Sequence, residues 1–369
     1  MELKDFYESF RDPKTILSLK KLIDVQAKKL NKSVNIMEVC GGHTHAIMKY
    51  GINQLLPSNI KFVHGPGCPV CVMPKSRVDE AIALAKMPDT VLVTLGDMIK
   101  VLGSTQTLQD ARAQGADVRF VYSPLDTIKI AKENPQKRVI YVAIGFETTT
   151  PMSASLLRHV IDNKIENIYF HINHVLVPPP MRAILNDDNV IDAFIGPSHV
   201  SVITGSKIYE EFAECYGRPV VVSGFEPVDV MESVLMLIKQ LQKGEAKVQI
   251  QYSRSVNREG NVKAQALVTK FFDVCDFEFR GLGVISGGGL ALKQSYEKYD
   301  ARKRFAEVLP KASKLDNKNC LCGEILKAKA LPHECKLFAN ACTPATPVGS
   351  CMVSSEGACA AYFKYGDFQ

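Results

Sequence analysis

The chain contains no run of about 18 apolar residues and no charged-then-apolar leader, the patterns that mark a membrane span or a secretory signal. A membrane-spanning or secreted protein is therefore not expected, and the cytoplasm is the expected compartment. No G-x-x-x-x-G-K-[ST] occurs either, so no Walker-type phosphate loop is indicated. GLGVISGGGL is glycine-rich but carries Ser286 where G-x-G-x-x-G needs its last glycine, and it reads as a tight turn rather than a nucleotide cradle. Between Ala301 and Lys336 nine Lys or Arg stand against four Asp or Glu. Aromatic residues do not alternate with these charges as in a nucleic-acid footprint, so a solvated face or a docking patch is expected and no nucleic acid.

Cysteine is what the chain has in quantity. There are eleven in 369 residues, and six of them (Cys320, Cys322, Cys335, Cys342, Cys351 and Cys359) fall in the last 50. Without a secretory leader, such thiols point to metal or redox use rather than a disulfide framework. The remainder is ordinary for a soluble globular protein, with 46% apolar and 23% charged residues and a net charge of +6. The length suits two or three domains.

Asp12 and Pro13 predict a helix start before ILSLKKLIDVQAKKL, giving an N-terminal helical arm over 1–30. Eight short β-branched runs follow: VNIMEV, IKFVHG, TVLVTLG, DVRFVY, RVIYVAIGF, ENIYFHI, VIDAFIG and RPVVVSGF. They alternate with stretches of helical period, such as SRVDEAIALAK, which predicts α/β architecture with parallel sheet. A polar break near residue 135 suggests two βαβ-type lobes, 31–135 and 136–245, and a loop- and helix-rich domain over 246–369. The Gly-Phe-Glu triplet ends a run twice, at Gly145 and at Gly224, a weak echo between the lobes.

The candidate sites sit where strands end. CGGHTH follows VNIMEV and puts Cys40 on a glycine turn, which predicts a lowered thiol pKa, with His43 and His45 available to a metal or an anion. Cys68 and Cys71 form a C-x-x-C between Pro66 and Pro74, which restrict helix on both sides, so a redox dithiol is favoured over half of a zinc site. The tail spacing Cys320-x14-Cys335-x6-Cys342-x16-Cys359, with Cys322 and Cys351 interleaved, supplies the four thiolates of a [4Fe–4S] cluster and two more. Zinc or three disulfides are the rivals, and the count alone does not say which four bind. Cys215 and Cys275 read as inert core thiols. His171, His174 and His199, near strand ends, read as structural, and Glu147 and Glu226 as bases, supporting partners or helix caps.

MEVCGGHTHAIMKYG, HGPGCPVCVMP, AIGFETTTP, GPSHVS, SGFEPVD and CTPATPVGSCMVSSEGACAAYF, in this order, resemble the HypD family of [NiFe] hydrogenase maturation proteins over essentially the whole chain. The resemblance implies a scaffold that joins the small chaperone HypC to hold an iron with two cyanides and one carbonyl, Fe(CN)2CO. Cyanide would arrive from HypE as a protein-bound thiocyanate. By position, it implies Cys40 as the iron ligand, His43 as a residue that orients or hydrogen-bonds the diatomic ligands, and Cys68/Cys71 as the dithiol beside them.

In the tail the likeness extends to ferredoxin–thioredoxin reductase. It implies that Cys320, Cys335, Cys342 and Cys359 hold the [4Fe–4S] cluster while Cys322 pairs with Cys351. Electrons would pass from cluster to Cys322/Cys351 to Cys68/Cys71, which requires the tail to fold back on the CPVC loop. The expectation is a redox-active assembly scaffold, monomeric on its own, rather than a turnover enzyme. The competing readings are a freestanding thiol–disulfide oxidoreductase acting on other proteins and a zinc-stabilised interaction module.

Overall fold

The computed structural model describes residues 8–187, 190–313 and 316–366; the first seven residues of the expected N-terminal arm lie outside them. The first helix, α1 (Pro13–Ala27), starts as the sequence predicts. The Asp12 carboxylate accepts the backbone N–H groups of Lys14 and Thr15 at 3.4 and 2.9 Å, and Pro13 opens the first turn.

β1 (Val34–Glu38), α2 (Gly41–Lys49) and β2 (Ile60–His64) follow, the two strands pairing in parallel. After α3 (Lys75–Ala85) the chain leaves this sheet and builds a second. β3 (Thr90–Leu95), β4 (Asp117–Val121), β5 (Arg138–Gly145) and β6 (Ile168–His174) are all parallel, in the spatial order β4-β3-β5-β6, with α4 (Thr150–Asp162) joining the last two. The chain then returns. β7 (Ala193–Pro197) pairs with the open edge of β1, setting Ala193 opposite Ile36. α5 (Ser198–Thr204), β8 (Val220–Ser223), α6 (Pro227–Gln242) and β9 (Val248–Ile250) complete a first sheet of order β2-β1-β7-β8-β9.

All eight apolar runs become strands of these two parallel sheets. Helices cover both faces of such sheets, so their strands read as continuous apolar runs; β5 is buried at every residue after Arg138. Strand membership, however, does not divide at residue 135. The segments 31–135 and 136–245 each contribute strands to both sheets. Parallel strands pair through crossovers, so a strand's neighbour in space need not be its neighbour in sequence.

The glycine-rich segment also differs from expectation. Its start turns at Gly281 and Gly283, both with positive φ, but Gly283–Leu292 is a strand, β11, antiparallel to β10 (Phe272–Phe279). Ile285, Leu290 and Leu292 on it are buried, which is what draws the segment into a hairpin. Beyond it the chain is loops and short helical turns, including α7 (Cys322–Leu326) and α8 (Ala358–Tyr365). Among the described residues no helix is long and apolar enough to cross a membrane.

One buried carboxylate ties the second sheet to the start of the tail. Glu80 on α3 accepts from His171 Nε2 at 2.9 Å and from Arg302 Nε and Nη2 at 2.7 and 2.9 Å. Burial pushes its pKa up, but the His171 and Arg302 hydrogen bonds outweigh that and hold it down at about 2. The stability it contributes is therefore full above the ordinary carboxylate range and is lost as pH falls toward 2. Glu80→Ala strands these partners and is expected to lower unfolding free energy by about 3 kcal/mol in urea titrations at neutral pH.

Candidate active site at the carboxyl edge of the first sheet

In an open parallel sheet the crevice lies where adjacent strands lead off to opposite sides. In the first sheet that point is between β1 and β7. Cys40 follows β1 and His199 follows β7, and they meet there, with Cys40 Sγ 3.7 Å from His199 Nε2. Cys40 is only 3% exposed, whereas the histidine is open to solvent at the rim. Sequence reasoning set His199 aside as structural; its place in GPSHVS directly after a predicted strand was the available signal.

The CPVC loop lies on the backbone of Cys40. Gly41 N–H donates to the Gly67 carbonyl at 3.2 Å, and a Cβ on Gly67 would stand 2.2 Å from Cys40 N, so only glycine fits. As the two prolines predict, this loop stays irregular until α3 begins at Lys75. Cys68 and Cys71 are both buried, and the Cys71 N–H points at Cys68 Sγ at 3.3 Å.

The lowered Cys40 pKa expected from the glycine turn is not found. Burial pushes this thiol up, the Glu356 carboxylate adds to the rise, and backbone N–H groups of Gly42 and His43 only partly oppose it. His43 is also fully buried. Its Nε2–H donates to the Gly224 carbonyl at 3.0 Å, which leaves Nδ1 as a buried acceptor without a partner. Burial lowers its pKa to about 4, so the ring is neutral. Phe225 lies between the two imidazoles, with ring centroids 4.4 Å from His43 and 5.0 Å from His199. His45 reaches outward, its Nδ1 3.3 Å from the Ser355 carbonyl.

The tail does fold back on the CPVC loop. Ser350 Oγ donates to the Cys71 carbonyl at 2.5 Å, which brings the adjacent Cys351 thiol within electrostatic range of the Cys71 thiol. Cys351 Sγ is in turn 2.6 Å from Cys322 Sγ. Four thiols thus form a chain: Cys322, Cys351, Cys71, Cys68. Outside it, Cys320, Cys335, Cys342 and Cys359 stand within electrostatic range of one another. Burial, then neighbouring Cys322, pushes the Cys320 thiol up to about 12. A Cβ on Gly349 would lie 2.7 Å from Cys320 Sγ, so that sulfur is seated in a space a side chain would fill. Among the described residues no three His, Cys, Asp or Glu side chains converge closely enough to share one metal ion. Cys215, expected in the core, is exposed, and Cys275 is partly exposed on β10.

Glu147 occupies the matching position after β5 in the second sheet. Its Oε1 accepts the Val177 N–H at 3.0 Å, while Oε2 is buried without a partner. Glu226, by contrast, caps α6 and forms a two-pronged pair with Arg11, at 2.5 and 2.7 Å. His174 and His171 are structural as expected, the former held between Ser153 Oγ at 2.8 Å and the Gly145 carbonyl at 3.2 Å.

Comparison with known proteins gives the family. Residues 14–366 match the family model described as HypD, the hydrogenase formation hypA family. The chain is 48% identical to hydrogenase maturation factor HypD2 of Bradyrhizobium diazoefficiens, covering 99% of this chain and 97% of that protein. It is 50% identical to hydrogenase maturation factor HypD of Rhizobium leguminosarum, over 92% and 90% of the two chains. The Escherichia coli protein of the same name is 43% identical over 98% of each. The chain belongs to the HypD family. Four of the quoted HypD motifs follow strands of the first sheet, AIGFETTTP follows β5 of the second, and the cysteine-rich tail folds back onto the CPVC loop.

Burial pushes the Glu147 carboxyl up to about 7, so the folded chain holds a proton that the unfolded chain releases at lower pH. Its contribution to stability is present below the ordinary carboxylate pKa and is lost as pH rises toward 7. Glu147→Gln is expected to flatten this slope. Urea midpoints measured at several pH values between those limits test it, and a variant slope equal to that of the parent would refute it.

Proposed function

We propose that this chain is a cytoplasmic hydrogenase maturation factor that, with a HypC-type chaperone, holds the iron on which the Fe(CN)2CO group is assembled from cyanide brought by a HypE-type donor. The observation that carries this reading is the packing of the CPVC loop, and of the tail folded back on it, against the backbone of Cys40. The CPVC loop lies on the Cys40 backbone, Ser350 ties the tail to Cys71, and the adjacent Cys351 lies against Cys322. Cys40 offers a soft thiolate to the cargo iron. His199 is the side chain in reach of that sulfur. The N–H of His43 is already committed to Gly224, so the hydrogen-bonding role expected of His43 passes to His199, and His43 acts through Phe225.

The thiols suit a two-electron reduction. Release of cyanide from a thiocyanate breaks one S–C bond and consumes two electrons, leaving a thiol on the donor. Oxidation of Cys68 and Cys71 to a disulfide supplies both. Cys351, next to the Ser350 that holds Cys71, then attacks that disulfide, and Cys322 resolves the mixed disulfide so that the oxidation passes to the Cys322/Cys351 pair. Four tail thiols, Cys320, Cys335, Cys342 and Cys359, have the donor chemistry of a [4Fe–4S] site, and the glycine cradle at Cys320 favours it. Such a cluster, when bound, would return electrons to the Cys322/Cys351 pair. Burial of Cys351 and Cys322 disfavours the alternative of a freestanding reductase for other proteins, whose disulfides would have to reach them.

Infrared spectra of the chain co-purified anaerobically with a HypC-type partner are expected to carry cyanide and carbonyl stretching bands. Their absence from a competent complex would overturn the scaffold. Cys40→Ala is expected to lose the bands while keeping about four iron and four sulfide per chain in the tail. Cys335→Ala should remove the cluster absorbance, and an unchanged visible spectrum would refute the ligand set.

A further inference from the structure

We propose that Glu38, His64 and Tyr362 are positioning residues for Cys40, a buried hydrogen-bond chain through which the seating of α8 sets how the thiol is presented. The inference rests on the reading of Cys40 as the anchor for the cargo. None of the three residues touches the thiol; they act on the backbone that carries it.

Glu38 has no solvent exposure, and both of its oxygens are engaged. Oε2 accepts the Cys40 backbone N–H at 3.0 Å. Oε1 accepts the Thr44 hydroxyl, one turn into α2, and the Nδ1–H of His64 at 2.7 Å. With Nδ1 donating, Nε2 of His64 is left to accept the Tyr362 hydroxyl, 3.1 Å away. Tyr362 lies on α8 three residues beyond Cys359, one turn along the same helix. The chain therefore runs without a break from the Cys40 amide to the helix that carries a proposed cluster ligand.

Two neighbouring contacts make the same join. The Ser355 carbonyl meets His45, and a Cβ on Gly41 would lie 2.4 Å from the Glu356 carbonyl oxygen. A buried carboxylate stays put only when its donors are all present, so loss of the outermost link loosens the innermost. The consequence is an order of events. Cys40 is held for its cargo only once the Cys351–Tyr365 segment is seated.

The test uses the full-length, metal-free, reduced chain and site-resolved alkylation by iodoacetamide, read by peptide mass spectrometry. Tyr362→Phe removes one oxygen. It is expected to speed alkylation at Cys40 roughly fivefold, the scale of one hydrogen bond in a local opening equilibrium, and to leave Cys275 on β10 at the parent rate. His64→Asn keeps an N–H for Glu38 but cannot reach Tyr362; it should give the same rise, and the double variant no further rise. A parent-like rate at Cys40 in Tyr362→Phe, or an equal rise at Cys275, would overturn the proposal. If His64→Asn does not fold, Tyr362→Phe decides alone. Labelling needs neither iron nor partner, so its failure is distinct from failure of the infrared test.

Discussion

The architecture turns on close approach of backbone to backbone around Cys40. The end of β1, the CPVC loop and the tail segment before α8 come together with no room for a side chain between them, and glycine at 67 and at 41 is what permits it. Every thiol contact follows from this. With the CPVC loop held on Cys40, Cys71 faces inward. With the tail held on Gly41, Ser350 bonds the Cys71 carbonyl and Cys351 lies against Cys322. A side chain at either glycine would separate the layers and break the line of sulfurs.

Buried polar groups then hold the layers in register. Glu38 does this for the first sheet and Glu80 for the second, each a carboxylate taken out of water and repaid by several donors, local ones and His64 of the next strand for Glu38 and two distant segments for Glu80. Such groups are poor sources of net stability, but they tolerate few alternative arrangements. The same burial pushes the Cys40 thiol up, against the expectation from the glycine turn. Local backbone N–H groups do lower the Cys40 pKa, but a few such dipoles do not offset the loss of solvent around a sulfur that is 3% exposed.

Much of this was legible in the residues. The Asp12-Pro13 start, the eight parallel strands, the irregular CPVC loop and the fold-back of the tail all appear where pattern and resemblance put them. Misreadings share a cause. His199 looked structural because its partner is 159 residues away. Cys215 looked like core because Phe212, Ala213 and Tyr216 stand near it, yet it ends up exposed after a short helix. GLGVISGGGL looked like a turn because glycine dominates it, while Ile285, Leu290 and Leu292 find a face to bury against.

The sequence by itself determined the family, the element types and the inventory of thiols, since these depend on local periodicity, on capping and turn residues, and on motifs read in order. Tertiary structure alone decided that the strands divide into two interleaved sheets, that His199 rather than His43 meets Cys40, and that Glu38 reaches Tyr362 through His64. These are contacts across long stretches of chain, chosen by burial and by the need to satisfy buried donors and acceptors, and no local stretch of residues encodes its distant partner.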